Sequence, residues 1–209
     1  MTPIAVVTGA SRGIGAATAT ALKARGYDVH DLSRTSGVDV RDEAAIVAAF
    51  AGLPRLDALI NNAALLVLRP VVEHTVDDWD QVLGVGLRGA FLCAREALRR
   101  MKAGATIVNV SSFSGLAGVE KFPNMAAYVA AKSGLAGLTE ALAVEAKPLG
   151  IRVNAVSPAT VDTDMGRAAG VGQTPLRAEE VGRVITWLAT DESAPLTGAN
   201  IRIDPPPRA

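Results

Sequence analysis

The sequence predicts a single-domain α/β protein built as a doubly wound parallel sheet. Three observations predict it. Short apolar, β-branched runs alternate with helical patterns from end to end. The first run passes straight into a glycine turn and then a helix. No linker, repeat or low-complexity block interrupts the 209 residues, a length that suits one large domain.

Ile4-Ala5-Val6-Val7 reads as a buried parallel strand. After the glycines, Ile14, Thr18, Ala21, Leu22 and Arg25 fall on one helical face, and Gly26 is placed to stop that helix. Asp28 to Leu32 is the second strand. A short helix follows over 44–51, behind Asp42. Leu56-Asp57-Ala58-Leu59-Ile60 is the next strand, ending in Asn61-Asn62-Ala63-Ala64. Thr75 and Asp78 form a capping box that opens a long helix to about Met101, with Trp79, Leu83, Leu87, Phe91, Ala94 and Leu98 on one side. Gly84, Gly86 and Gly89 lie inside it. Each costs about 1 kcal/mol against Ala, which points to close packing, a kink or a vacated site.

Thr106-Ile107-Val108-Asn109-Val110 is a central strand leading to Ser111-Ser112. An Ala-rich helix covers 125–147 and stops at Pro148 and Gly150. Ile151 to Val156 is a strand ending at Pro158. A helix over 179–190 and a last strand over 199–203 complete the chain, with a proline-rich surface tail over 205–209. Only four residues separate Arg34 from Asp39, too few for a crossover between parallel neighbours. The expected sheet therefore has six strands, with the usual third strand and its preceding helix missing. The polar strand Asp28–Leu32 becomes an edge.

Lysine plus arginine equals aspartate plus glutamate, 21 each, so no basic face points to nucleic acid. The zero net charge does little to oppose self-association. Cys93 is the single cysteine, expected as a small buried hydrophobe in a reducing compartment. His30 and His74 have no ligand spacing around them, so no metal is expected. The start Met1-Thr2-Pro3 lacks a basic n-region, and no apolar run spans a bilayer. The expectation is a cytoplasmic protein away from membranes.

The first chemical feature is the octet Thr8-Gly9-Ala10-Ser11-Arg12-Gly13-Ile14-Gly15 between strand and helix. Such a turn brings backbone close to a pyrophosphate, and the helix N-terminus holds it. The second is Tyr128 and Lys132, four residues apart and about 6 Å distant on one helical face. A free tyrosine has a pKa near 10, and an adjacent ammonium is expected to lower it toward working pH. The third is Ser112 at a strand end, placed to hydrogen-bond a reacting oxygen. Ser111 ranks below it. Each feature taken alone also occurs as ordinary turn or surface structure.

Together these segments resemble the short-chain dehydrogenase/reductase family in order and rough spacing: Thr8 to Gly15, Asn61-Asn62-Ala63, Ser112, Tyr128, Lys132 and Pro158 to Thr163. The resemblance covers nearly the whole chain. It implies a Rossmann-like sheet, Tyr128 as general acid/base, Ser112 as the substrate-orienting hydroxyl, and Lys132 as holder of the nicotinamide ribose and tuner of Tyr128. It places Thr8, Gly9, Ser11, Arg12, Gly13, Ile14, Gly15, Asn61, Ala63, Pro158, Val161 and Thr163 at the cofactor, with Asp39 and Val40 near the adenine. It also implies a homodimer or homotetramer, packed through the helices over 75–101 and 125–147. The chain departs from the family pattern at Gly86, aligned with an asparagine that braces a relay water. Ala64, Ala159 and Pro205-Pro206 replace glycines. The lid segment over 163–177 is short, and 120–125 is inserted.

The resulting expectation is an NADPH-dependent carbonyl reductase or alcohol dehydrogenase acting on a small molecule. Ser33 stands eighteen residues after Gly15, where an acidic residue would bind a ribose 2′-OH, and Arg34 follows. With Arg12 this favours NADP(H); Asp31 keeps NAD(H) open. Leu65, Leu66, Phe113, Leu116, Phe122, Met125 and Met165 are candidate pocket walls. Two rivals stand: an NADP-binding, non-catalytic redox-sensing or interaction module, and a reductase of C=C or C=N bonds.

Overall fold

The computed structural model describes residues 1–170 and 176–205. Its six strands are β1 (Ile4–Thr8), β2 (Asp28–Leu32), β3 (Leu56–Asn61), β4 (Met101–Val110), β5 (Arg152–Pro158) and β6 (Asn200–Ile203). They form one parallel sheet in the order β2-β1-β3-β4-β5-β6. The reversal of direction at β1 and β3 leaves a crevice at their carboxyl ends, where open parallel sheets bind ligands.

Alternate residues of each strand face opposite sides. Ile4 and Val6 point with Ile107 and Val153 toward α2 (Glu43–Ala51), α4 (Gly89–Leu98) and α5 (Ala126–Ala146). Ala5 and Val7 point with Val108 and Val156 toward α1 (Gly13–Ala24) and α7 (Ala178–Leu188). Strands buried on both faces need apolar residues throughout, which explains the unbroken run Ile4-Ala5-Val6-Val7 in β1.

The edge position of β2 follows from the chain after it. Ser33 caps a 3-10 turn over Arg34–Ser36, Gly37 reverses the backbone at φ 84°, and Asp42 caps α2 through the amides of Ala44 and Ala45. The chain goes directly to α2 and crosses under β1. As expected, the third strand and its helix are missing.

Two boundaries differ from the sequence reading. The long helix expected to run to Met101 is α3 (Val76–Leu83), a π turn (Gly84–Arg88) and α4, ending at Leu98. Met101 instead begins β4, where it pairs with Leu56 ahead of a register shift. Of the side proposed for that helix, Trp79 and Phe91 are exposed, while Val82, Gly86, Ala90, Cys93 and Ala97 are buried. Small residues win that face because the helix lies so close to its neighbours: a Cβ on Gly89 would stand 2.9 Å from Val40 Cγ2 and 3.0 Å from Val40 O. The second difference is α6 (Asp164–Ala169), a short helix within the lid segment, capped by Thr163. The remainder of the lid, residues 171–175, and the tail residues 206–209 lie outside the described residues.

Phe50 is fully buried where α2 packs on the sheet, and Val47 on the same helix is exposed. Phe50→Ala is expected to cost about 3–5 kcal/mol of unfolding free energy. Val47→Ala should change it by less than about 0.5 kcal/mol. Denaturant titration of both variants checks the packing of this shortened edge.

Candidate active site

The glycine turn is braced by its neighbouring strand ends. The Thr8 hydroxyl accepts the amides of Asn62 and Ala63, at 2.9 and 3.0 Å. The Asn62 side-chain amide donates to Thr8 O and Gly9 O, at 2.9 and 3.1 Å. On the other side Gly9 N donates to Leu32 O and Ala10 N to Asp31 Oδ1. Gly9 takes φ 66°, and its missing Cβ would meet Ala63 Cα at 3.1 Å. A Cβ on Gly15 would lie 2.3 Å from Gly9 O and 2.5 Å from Asn62 Nδ2. Any side chain there would pry the turn open. The α1 N-terminus has neither a side-chain cap nor an acidic residue in its first turn, whereas α2, α3 and α6 carry both. An uncompensated positive helix end beside a glycine turn fits a pyrophosphate.

A cleft runs from this turn along the carboxyl ends of the strands. Ser33, Arg34, Thr35, Asp39, Val40 and Arg41 line one end. Asp31 does not face it. Its carboxylate is bound by Ala10 N and by the Ser33 hydroxyl, at 3.1 and 2.7 Å. Asp39 is gripped by the Arg41 guanidinium, which lowers its pKa. Arg34 is exposed and its charge helps to lower the Asp39 pKa, with no ion pair within 4 Å among the described residues. Arg12 reaches across the cleft mouth to Asp164, 3.5 Å away. The predicted cofactor residues Gly9, Ser11, Arg12, Gly13, Ile14, Ala63 and Thr163 line this cleft. Pro158 and Val161 line the adjoining pocket. Thr8, Gly15 and Asn61 lie behind the cleft surface.

Asn61 has a different placement from the expected one. It is buried, donating to Ala90 O at 3.3 Å and to Asn109 Oδ1 at 2.9 Å. Asn109 donates to Thr139, whose hydroxyl donates to Leu135 O. This chain of amides and a hydroxyl pins α4 and α5 to β3 and β4. Sequence reasoning missed Asn62, Thr35 and Arg41 as cleft residues. Asn62 carried a signal, since it sits beside Asn61 at a strand end; the other two depend on the course of the shortened loop.

The reacting groups meet where β4 ends. Ser111 Oγ donates to Lys132 O at 2.9 Å, and Lys132 Nζ donates to Val110 O at 2.6 Å. Gly115 allows the contact: a Cβ there would be 2.6 Å from Lys132 O. Ser112 caps the turn at Phe113–Gly115, its Oγ accepting the Ser114 amide at 3.1 Å. It also lies in hydrogen-bond contact with Tyr128. Lys132 Nζ stands 5.6 Å from the Tyr128 ring centroid.

The electrostatics correct one expectation. Burial raises the Tyr128 pKa, and the Ser112 contact only partly opposes this. Lys132 does not bring it down. Burial instead pulls Lys132 itself down to about 8. Gly86 lies in the π turn facing α5, where a Cβ would meet Ala131 Cβ at 3.4 Å.

Beyond Tyr128 opens a second pocket, lined by Leu66, Phe113, Phe122, Met125 and Met165 as the sequence reading proposed. Leu65 lines the main cleft instead, and Leu116 lines neither. Tyr128 and Ser111 border both spaces. No group of three or more His, Cys, Asp or Glu side chains able to hold a metal occurs among the described residues. No described helix is long and apolar enough to cross a membrane.

A dinucleotide-shaped cleft meeting an apolar pocket at a Ser–Tyr–Lys corner defines a nicotinamide-dependent oxidoreductase of hydroxyl and carbonyl groups. The chain belongs to the short-chain dehydrogenase/reductase family: the family model described as enoyl-(acyl carrier protein) reductase matches residues 30–205. Trans-4-hydroxycyclohexanecarboxylate dehydrogenase of Sinomonas cyclohexanicum is 38% identical, over 96% of this chain and 91% of its own length. Carbonyl reductase (NADPH) 2 of Sus scrofa is 34% identical, over 96% and 94%. Among solved structures, a short-chain dehydrogenase from Burkholderia cenocepacia in complex with NADP superposes with TM-score 0.88 at 29% identity, covering 98% of this chain and 97% of that one.

Gly15→Ala tests the turn. Forcing a methyl into this contact is expected to cost about 1–3 kcal/mol, roughly ten- to a hundredfold in dinucleotide affinity. Titrating nicotinamide fluorescence against both proteins measures it.

Proposed function

We propose that the protein is an NADPH-dependent carbonyl reductase, or the reverse alcohol dehydrogenase, with Tyr128 as its general acid/base. The observation that carries this reading is the position of Tyr128 on the border between cleft and pocket, beside Ser112 and above Lys132. A cofactor in one space and a carbonyl in the other would meet at the phenol. The retained triad argues against a binding module, which has no need of it.

Hydride exchange with the substrate carbon is the chemistry that the nicotinamide supplies when bound. The chain's own groups handle the oxygen. Because Ser112 Oγ accepts the Ser114 amide, its O–H remains available to donate to the substrate oxygen. The raised pKa keeps Tyr128 a neutral phenol at working pH, so it can donate its proton there. Lys132, whose pKa burial lowers to about 8, stands 5.6 Å from the phenol ring and would hold the nicotinamide ribose. Gly13, Ile14 and the open α1 end would hold the pyrophosphate.

Ser33, Arg34 and Thr35 in the cleft support NADP(H) over NAD(H), because Asp31 is turned inward onto Ala10 and Ser33 and the Asp39 carboxylate at the same end is paired with Arg41. We expect self-association as well, supported by exposed Phe91 on α4 and Val144 on α5. A cytoplasmic setting fits the buried, unpaired Cys93.

Two measurements test the reading. NADPH is expected to bind at least about tenfold more tightly than NADH, and tighter NADH binding in parallel titrations would reverse the cofactor assignment. Tyr128→Phe is expected to cut ketone reduction at least about 100-fold with little change in NADPH affinity. In the parent, Lys132 is charged below its pKa of about 8 and Tyr128 protonated below its raised one. Reduction should therefore be level below pH 8 and fall above it. Alcohol oxidation needs the phenolate and should rise with pH. Steady-state rates in both directions from about pH 6 to about pH 10 check the sign.

A further inference from the structure

The pocket beyond Tyr128 has a consistent chemical character. Leu66, Phe113, Phe122, Met125, Met165 and Ala169 form its walls, and no charged side chain lines it among the described residues. Several hydroxyls at its margin are engaged. Ser111 donates to Lys132 O, and Thr163 Oγ1 accepts the Gly166 amide at 3.1 Å.

The cations around it are held as well. The Arg202 guanidinium lies over the Phe113 ring, 4.4 Å from its centroid, but its Nε and Nη2 bind the two carboxylate oxygens of Asp204 at 2.8 and 2.9 Å. Arg167 pairs with Asp162 and Asp164, and Arg12 with Asp164. Lys132 Nζ is bonded to Val110 O beneath the phenol. A carboxylate entering this pocket would lose water and find no guanidinium or ammonium in exchange. The other polar residues lining it among those described, Ser111, Ser114, Thr160 and Thr163, are uncharged, and Ser112 with Tyr128 is the corner that the reacting oxygen would take.

We propose that the substrate is an uncharged ketone or secondary alcohol with an apolar body, and that the pocket discriminates against analogues carrying a carboxylate. This rests on the reductase reading above. Discrimination here comes from the missing partner for the charge, with apolar contact supplying the attraction.

The test is a matched pair. Isopropyl and carboxylate groups have nearly the same shape, so 4-isopropylcyclohexanone and 4-oxocyclohexanecarboxylate differ mainly in charge. The expected result is a kcat/KM at least about tenfold higher for the neutral ketone. Equal or better use of the carboxylate overturns the proposal. Calorimetry of the NADPH-loaded protein with the two corresponding alcohols gives a readout independent of turnover. Preferential binding of the neutral alcohol without reduction of either ketone would uphold the substrate class and refute the reductase reading; binding of neither alcohol, or preference for the charged one, would refute the class itself. Phe122→Arg supplies the missing partner from a half-exposed wall position. It should move the kcat/KM ratio toward the carboxylate by about tenfold or more, and an unchanged ratio counts against the proposal.

Discussion

The docking of α5 on the end of β4 is the contact on which the site depends. Lys132 makes it twice, through its carbonyl to Ser111 and through its ammonium to Val110. Gly115 lets the turn approach to where any side chain would collide with Lys132 O. One residue thus fixes the helix that carries Tyr128 against the strand that carries Ser112. The buried links from Asn61 through Asn109 to Thr139 secure the same helix about two turns further along. Polar groups in a core must be bonded to be tolerated, and here the bonds also set the register of helix against sheet. The acid and the orienting hydroxyl meet because the backbone beneath them has no freedom to part.

The shortened edge reorganises the other end of the cleft. With no third strand, the residues after β2 form a tight turn whose Ser33 bonds Asp31, Thr35 and Ser36. The same Asp31 receives the Ala10 amide of the glycine turn. The phosphate turn and the loop that meets the adenosine are therefore joined through one carboxylate. The alignment with the Sinomonas relative runs over 238 positions against the 209 residues of this chain, so that relative has segments without counterparts here.

Much of this was readable from residues alone. The six-strand count and the edge position of β2 followed from counting four residues between Arg34 and Asp39, because crossover length is a geometric limit. The glycine turn and the Tyr128–Lys132 pair were legible because their spacing is the chemistry. Three things were not. The π turn at Gly84–Arg88 faces Arg41 at Gly84 and Ala131 at Gly86, residues far away in sequence. The start of β4 at Met101 depends on its pairing with Leu56 rather than on its own pattern. The direction of the Tyr128 pKa depends on how deeply the phenol is buried, and neighbouring residue types carry no measure of that.

Cys93, the single sulfhydryl of the chain, has no exposed surface, and burial pushes its pKa up to about 12. A thiol in that state is nearly free of thiolate and beyond the reach of peroxide or an alkylating reagent. The folded protein therefore carries no thiol trigger by which oxidants could silence it directly. The same thiol acts as an internal clock, since it becomes alkylated only when α4 lifts from the sheet. The pace of its labelling would count the openings of the folded state.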